Sequence, residues 1–221
     1  MGEVPVLRLA VAIGRQISLL SGSAESAMSL ENLKLEDAVF TFLDVETTGL
    51  SPRTARVCEV AAISFRGGER LGALAELLNP GCPIPPQCTL VHGITDDMVK
   101  KSPAFGAVAP RLLAMLENTV LVAHNAEFDI KFVRMELERI GLKFPKMPVL
   151  DTLAIARREW RFKSNKLGNI AAELGIPNES WHRALSDVEM TRKIFEHFAA
   201  ASRKSGAVTV NDMLKKGPKV C

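Results

Sequence analysis

Apolar and polar residues follow two different periods along this chain, and the first half follows the period of β-strands. A short apolar run predicts a buried first strand over residues 40–47. Residues 56–65 and 71–78 flank a turn-like tetrapeptide at 66–69, which indicates a β-hairpin. The first three predicted strands therefore form an antiparallel meander.

Helical spacing dominates the second half of the chain. Residues 119–123 are continuously apolar, which is typical of a buried parallel strand, and residues 147–150 are a candidate fifth strand at an edge. Residues 79–87 contain four prolines and are predicted to form an extended loop. The predicted helices cover residues 95–101, 103–117, 128–140, 151–160, 167–174 and 187–201. This order indicates an α/β three-layer fold with a mixed five-stranded sheet flanked by helices.

Composition divides the chain into three regions. Residues 1–36 are interpreted as an amphipathic helix that docks on the domain or on a partner, followed by a flexible linker of small polar residues at 21–29. The apolar stretch is much shorter than the roughly 20 residues of a membrane span. We therefore expect no transmembrane segment, with a membrane-surface helix as the alternative. Residues 37–201 are the predicted folded domain, and residues 202–221 are a basic, mobile tail.

Overall composition restricts the function only weakly. Apolar residues make up 47% and charged residues 24% of the chain, which is ordinary for a globular protein. The formal net charge is only +3, so any binding to nucleic acid has to come from local basic patches. The densest patch could track phosphates or be a solvated helix face. It contains Arg157, Arg158, Arg161, Lys163 and Lys166.

Cysteine usage argues against a zinc site and favours a reducing compartment. Cys58, Cys82, Cys88 and Cys221 form no Cys-x-x-Cys pair and have no histidine-rich neighbours. The apolar start of the chain has no basic beginning and contains an arginine, so we expect no signal peptide. We therefore expect free thiols and a cytoplasmic location.

Two acids interrupt the end of the first predicted strand. Asp44 and Glu46 are two residues apart, so their carboxylates share one face of that strand. Two like charges held together need a cation, or one of them stays protonated. Carboxylate oxygens suit a hard divalent ion such as Mg²⁺ or Mn²⁺. The spacing thus predicts a candidate metal site at this strand end.

Further polar residues follow the fourth predicted strand. His124 comes directly after residues 119–123, and Asp129 follows five residues later. In α/β sheets, functional sites gather at the carboxyl ends of parallel strands. If the fourth strand pairs with the first, these residues lie beside Asp44 and Glu46.

Three motifs occur in a fixed order: Asp44-x-Glu46, then Asn125-x-x-Phe128-Asp129, then His182 five residues before Asp187. Together they resemble the DnaQ-like (DEDDh) 3′-to-5′ exonucleases, which have a ribonuclease-H-like fold. The resemblance covers roughly residues 37–200. Residues 44–50 and 91–95 are most similar to the epsilon proofreading subunit of bacterial DNA polymerase III and its stand-alone relatives.

The resemblance implies a two-metal hydrolysis of phosphodiester bonds with Mg²⁺ or Mn²⁺. Asp44 then bridges both ions, Glu46 and Asp187 bind the ion on the nucleophile side, and Asp129 binds the second ion through water. His182 takes the proton from the attacking water. Taken singly, Asp129 and Asp187 could also be acids favoured at a helix start.

The resemblance also suggests contacts with the terminal nucleotide. Phe128 and Leu50 could stack on or wedge between bases, although Phe128 could equally be a core residue and His92 could only fix its own loop. The complete set of candidate substrate contacts is Thr47, Thr48, Leu50, Val91, His92, His124, Asn125 and Phe128.

The expected function is removal of mononucleotides from single-stranded or frayed DNA 3′ ends, in proofreading, repair or end processing. A polymerase-bound role is open, but the tail after about residue 200 is shorter than in the epsilon relatives, which favours a stand-alone enzyme. Trimming of RNA 3′ ends is an alternative. Small oligoribonucleases carry Met at the position of Thr47, which argues against that branch. A non-catalytic nucleic-acid or polymerase-binding adaptor is a further alternative, although all five core residues are present.

Overall fold

The computed structural model describes residues 29–177 and 183–215 and contains a mixed five-stranded sheet. The strands lie in the order β3-β2-β1-β4-β5. Pairing is antiparallel for β1 with β2 and for β2 with β3, whereas β4 pairs parallel to β1 and β5 parallel to β4. The predicted meander and edge strand are confirmed. The strands are β1 (Val39–Thr47), β2 (Val57–Arg66), β3 (Glu69–Leu77), β4 (Val120–Ala123) and β5 (Val149–Asp151).

Eight α-helices are seen in the described residues, and all but two of them match predicted segments. The prediction of an extended loop over residues 79–87 is wrong at its end, because a helix starts at Pro86, where a proline is well suited to the first turn. The helices are α1 (Pro86–His92), α2 (Asp96–Val99), α3 (Phe105–Leu116), α4 (Ala126–Arg139), α5 (Thr152–Glu159), α6 (Leu167–Glu173), α7 (Ala184–Lys204) and α8 (Val210–Leu214).

Helices cover both faces of the sheet, so each strand contributes side chains to two cores. On β1, Phe40 and Phe42 pack against Phe195 of α7, with ring centroids 4.9 and 5.6 Å apart. Leu43 and Val45 point the other way, into the core formed with α3 and α4. The alternation of β1 therefore directs Asp44 and Glu46 to the α7 face, as the two-residue spacing predicts.

The strands β1 and β4 pair over only three positions. Their last paired residues are Phe42 and Val122, and β1 continues for five residues beyond that point. Ala123 ends β4, and the chain turns into α4 through Asn125, which has a positive φ of 69°. β1 therefore extends beyond β4 at the carboxyl edge of the sheet, and this extension carries the predicted site residues Asp44 and Glu46.

The region after α7 differs from the sequence prediction. A mobile tail is expected from residue 202, but residues 202–215 are folded. The N–H of Val210 donates to Leu33 O at 3.0 Å, the N–H of Leu35 donates to Val208 O at 3.0 Å, and Val210 and Met213 are buried. The sequence shows few apolar residues here, and they pack on residues 33–35 and in the core shared with α7, which are distant contacts that local sequence does not predict.

The predicted N-terminal helix and linker at residues 1–28 lie outside the described residues. Within residues 29–177 and 183–215, no helix is long and apolar enough to cross a membrane.

Candidate active site

Three carboxylates from two elements meet at the carboxyl edge of the sheet. Asp44 and Glu46 come from the last residues of β1, and Asp187 comes from the first turn of α7. One carboxylate oxygen from each of the three lies within 4.8 Å of the other two. All three side chains are partly accessible to solvent. This separation allows one ion to bind all three carboxylates.

Asp129 approaches the same strand end from the opposite face. It lies in the first turn of α4 and is only 3% exposed. The N–H of Val45 donates to Asp129 Oδ1 at 3.1 Å, beyond the point where β4 stops pairing with β1. Asp129 is thus joined to the backbone between Asp44 and Glu46, and its negative charge acts on Asp44.

The electrostatics of this cluster favour binding of a cation. Burial, followed by repulsion from Asp129 and the other acids, raises the pKa of Asp44 well above its usual range. Burial, followed by repulsion from Asp187 and Glu59, raises the pKa of Glu46 from 4.5 to about 8. A divalent cation would remove this repulsion, and an all-oxygen ligand set suits hard ions. The residues therefore fit a divalent metal.

A further acid, Glu59, positions the start of α7. It faces Glu46 across the β1–β2 pair and is 5% exposed. Glu59 accepts hydrogen bonds from Arg183 Nη2 at 2.7 Å, from Arg183 Nε at 3.1 Å and from the N–H of Ala184 at 2.9 Å. It thus caps the helix that carries Asp187. His182, the candidate base, lies outside the described residues and directly precedes Arg183.

A pocket of about 400 Å³ lies beside α4, the helix that carries Asp129. Leu50, Asn125 and Phe128 line it together with parts of the loop after β1 and of α4. Leu50 is 88% exposed, and a side chain of this kind at a pocket rim is available to contact a ligand. Phe128 is half-buried and packs on Phe132 with ring centroids 4.8 Å apart. The structure therefore brings together three of the predicted substrate contacts.

The loop after β1 is fastened at both of its ends. Thr47 Oγ1 donates to Gly49 O at 2.7 Å, and Thr48 Oγ1 accepts from the N–H of Arg56 at 3.0 Å. Buried Glu136 of α4 binds the Arg56 guanidinium through two hydrogen bonds of 2.7 and 2.9 Å. Thr47 and Thr48 are themselves buried, whereas Leu50 of the same loop is exposed.

The two candidate substrate histidines make internal hydrogen bonds. His124 is bonded through Nδ1 to Thr152 Oγ1 at 2.9 Å and through Nε2 to Asn165 O at 3.0 Å. Burial lowers the pKa of His124, which favours the neutral ring that donates through Nε2. His92 is buried, and its Nδ1 accepts from the N–H of Ile94 at 3.0 Å. Val91, its neighbour on α1, is 55% exposed.

Sequence reasoning missed two acids that organise this region. Glu59 lies opposite Glu46 in the antiparallel pair of β1 and β2, so the register of the first two strands of the predicted meander is the signal that could have shown it. Asp151 caps α5 by accepting from the N–H of Leu153 at 2.9 Å, and it also accepts from the N–H of Asn125 at 3.0 Å. Its position at a helix start was visible in the sequence, but its contact with the turn into α4 was not.

Comparison with known proteins finds similarity over the part of the chain that contains the candidate site. The sequence model of an exonuclease family, RNase_T, matches residues 41–195. The DNA polymerase III PolC-type of Thermotoga maritima is 33% identical over 180 residues, which cover 81% of this chain and 13% of that relative. The DNA polymerase III subunit epsilon-like protein of Rhodobacter capsulatus is 36% identical over 202 residues, covering 89% of this chain and 28% of the relative. This chain therefore spans only a small part of both relatives.

A solved structure shows the same fold. Exonuclease X in complex with 5′ overhanging duplex DNA is 25% identical and has a TM-score of 0.61 to this chain. The match covers 80% of this chain and 98% of that structure's chain. The mixed sheet with helices on both faces is thus the fold of that exonuclease.

Proposed function

Because the chain belongs to the exonuclease family whose sequence model matches residues 41–195, we propose that it is a metal-dependent exonuclease that removes nucleoside monophosphates from the 3′ ends of DNA. The observation that carries this proposal is the meeting of Asp44, Glu46 and Asp187 within 4.8 Å of one another. Two relatives are named as DNA polymerase III proteins and one solved structure is described as DNA-bound, which supports DNA as the substrate.

In this proposal Asp44, Glu46 and Asp187 hold divalent ions, Mg²⁺ or Mn²⁺, with Asp129 as the fourth acid. Bound ions of this kind lower the pKa of water and stabilise the leaving oxygen. The chain itself orients the terminal phosphodiester at the part of β1 that extends beyond β4. His182 accepts the proton of the attacking water, because an ordinary histidine pKa of about 6.5 suits a base near neutral pH. The water oxygen forms a bond to phosphorus while the bond from phosphorus to the 3′ oxygen of the preceding nucleotide breaks. That oxygen takes up a proton and leaves as the new 3′ hydroxyl of the shortened strand.

The other residues hold the terminal nucleotide. Leu50 and Phe128 line the pocket beside α4 and supply apolar surface for a base, a contact that tolerates any sequence. Asn125 adds a polar group at the same pocket. Thr47 and Thr48 hold the loop that carries Leu50, so they act on the substrate through that loop.

The test is a gel assay on 5′-labelled DNA and RNA strands, single-stranded and with a mismatched 3′ end, in Mg²⁺ or Mn²⁺. We expect a ladder that shortens by one nucleotide at a time on DNA and disappears in EDTA. Asp44→Ala should lower the rate more than about a hundredfold. Mutation of a residue that only hydrogen-bonds to a metal ligand already lowers metal affinity or activity by about 10–100-fold, and Asp44 is itself a proposed ligand. Asp37→Ala, which removes an exposed acid just before β1, is the matched control.

Three outcomes would contradict the proposal. An inert wild-type chain would exclude the activity, an activity that persists in EDTA would exclude the metal, and a faster reaction on RNA than on DNA would replace DNA with RNA as the substrate.

A further inference from the structure

The catalytic edge is the carboxyl edge of the sheet, where Asp44, Glu46 and Asp187 meet. We propose that the basic loop after α5 binds the phosphates of a single-stranded DNA that enters the site at this edge. This inference rests on the proposed exonuclease function and names the surface that holds the strand behind its terminal nucleotide. The loop comprises residues 160–166 and carries Arg161, Lys163 and Lys166; Arg157 precedes it on α5.

The loop is held next to the catalytic edge by a hydrogen bond. His124 Nε2 lies 3.0 Å from Asn165 O, and His124 directly follows β4, whose neighbour β1 carries Asp44 and Glu46. Lys166 is the next residue after Asn165. Besides burial, the positive charge of Arg157 lowers the pKa of His124, so Arg157 also lies near this strand end. These contacts place the backbone of the loop, together with Arg157, close to the carboxyl end of β4, the strand that lies next to β1.

The charges of this loop are available to a ligand. Arg157, Arg161, Lys163 and Lys166 are all exposed. In the part of the chain that the structure describes, none of these four forms an ion pair, whereas the neighbouring Arg158 pairs with Glu159 at 3.2 Å. Cations arranged in this way bind a phosphate backbone by releasing its counterions.

Aromatic packing holds the loop in a defined shape. Trp160 and Phe162 stack with an interplanar angle of 8° and ring centroids 5.5 Å apart. Trp160 also packs on Phe198 of α7 with ring centroids 5.0 Å apart, and the N–H of Lys163 donates to Glu173 Oε1 at 3.0 Å. The lysines therefore project from a fixed backbone, which reduces the entropy lost when a strand binds.

The test compares two double variants. Lys163→Gln with Lys166→Gln neutralises the loop. Lys143→Gln with Lys146→Gln is the control, because it neutralises two exposed lysines in the segment between α4 and β5. This segment leads into the start of β5, which is parallel to β4, so it lies at the amino ends of the parallel strands, away from the catalytic edge. Both are built in the Asp44→Ala background, and binding of a fluorescent single-stranded DNA is titrated at several NaCl concentrations in Mg²⁺.

We expect the loop variant to weaken DNA binding about fivefold, since two exposed charge contacts are lost. The slope of log affinity against log salt should flatten by about 0.7 for each phosphate contact removed. The loop variant is also made with Asp44 intact, and kcat/KM is measured for DNA and for the p-nitrophenyl ester of thymidine 5′-monophosphate, which has no strand to contact the loop. The ratio of the two kcat/KM values, DNA over ester, should fall by the same factor. The control variant should match the parent protein.

Equal affinity and equal salt slope in the loop variant and the control would overturn this inference while leaving the exonuclease proposal intact. A chain that hydrolyses neither substrate would overturn the exonuclease proposal, and the binding titration would still decide the role of the loop. An RNA strand in the same titration shows whether the loop reads only phosphates: equal loss for DNA and RNA supports phosphate contacts, and loss for neither overturns them.

Discussion

Four acidic residues at the catalytic edge carry more negative charge than the basic residues of the described chain neutralise. Asp44 and Glu46 end β1, Glu59 faces Glu46 across the sheet, and Asp187 completes the group. The guanidinium of Arg183 is committed to Glu59, although it also favours the ionised form of Glu46 slightly. Acids arranged for catalysis often destabilise the fold that holds them. The metal-free protein should therefore be under electrostatic strain that depends on pH.

The stability of the metal-free protein should fall as pH rises from about 5 to about 8. Folding raises the pKa of Glu46 from 4.5 to about 8, so in this window the folded chain keeps a proton that the unfolded chain has released. Each unit of pH then lowers the free energy of unfolding. In EDTA we expect Tm to drop by more than about 2 °C, the shift that about 1 kcal/mol causes in a domain of this size.

Glu46→Gln should flatten this dependence, with the remainder coming from Asp44, whose pKa is also raised. Saturating Mn²⁺ should raise Tm most at high pH, because the ion competes with the proton. Thermal unfolding of both proteins over the pH series measures this effect. A Tm that is flat or rising over this window in the wild-type protein in EDTA would contradict the prediction.

At the scale of elements, α7 is positioned by a residue of another element. The N–H of its first residue, Ala184, donates a hydrogen bond to Glu59 of β2. The side chain of Arg183, which occupies the N-cap position, makes no capping hydrogen bond. The same Glu59 holds the guanidinium of Arg183, directly after His182. Strand β2 therefore sets the position of the helix that brings Asp187 to the acids of β1.

Glu59→Gln should lower kcat and weaken activation by Mn²⁺, each by about tenfold or more, as for other residues behind metal ligands. The amide keeps the shape of Glu59 but loses its charge, so Arg183 and the first turn of α7 are held less firmly. Steady-state rates over a Mn²⁺ series measure both effects. Glu76→Gln, on β3, is the control because Glu76 pairs with Arg111 at 3.7 Å on an exposed surface. A loss of Tm with unchanged Mn²⁺ activation would make Glu59 a structural residue only.

At the scale of the whole molecule, the two ends of the described chain close the fold near the start of β1. Lys34 and Thr209 form a β-bridge, and Thr209 caps α8 through a reciprocal pair of hydrogen bonds with Asp212. Met213 is fully buried in the core shared with α7. This contact stabilises the sheet from the end opposite to the acids.

Met213→Ala should lower the free energy of unfolding by about 2–5 kcal/mol, the usual effect of removing a fully buried large side chain. Because Met213 lies away from the acids, kcat/KM measured well below Tm should stay within about twofold of wild type. Urea unfolding and the gel assay test the two parts. Val208→Ala is the control because Val208 is 61% exposed. A variant as stable as wild type would show that α8 contributes little to the fold.

The sequence predicts what depends on local periodicity. The alternation of β1 places Asp44 and Glu46 on one face, and a parallel strand after residue 119 predicts the neighbour that brings Asp129 close. Contacts between distant segments are not predicted: Glu59 and Arg183 are 124 positions apart, and only the packing of α7 on β2 joins them. The direction of the His124 side chain is likewise not predicted. The sequence suggests a contact with substrate, whereas both ring nitrogens make hydrogen bonds within the protein, to Thr152 and Asn165.

The hydrogen bond from Val45 to Asp129 bears on how a substrate complex should be trapped for structure determination. Asp129→Ala would remove an acid and also leave the N–H of Val45 without its buried acceptor, which by itself destabilises a protein by about 1–3 kcal/mol. Within residues 29–177 and 183–215, no group donates a hydrogen bond to the carboxylate of Asp44. An inactive protein made at Asp44 should therefore keep the native backbone, and a strand captured by it would show the undistorted binding geometry.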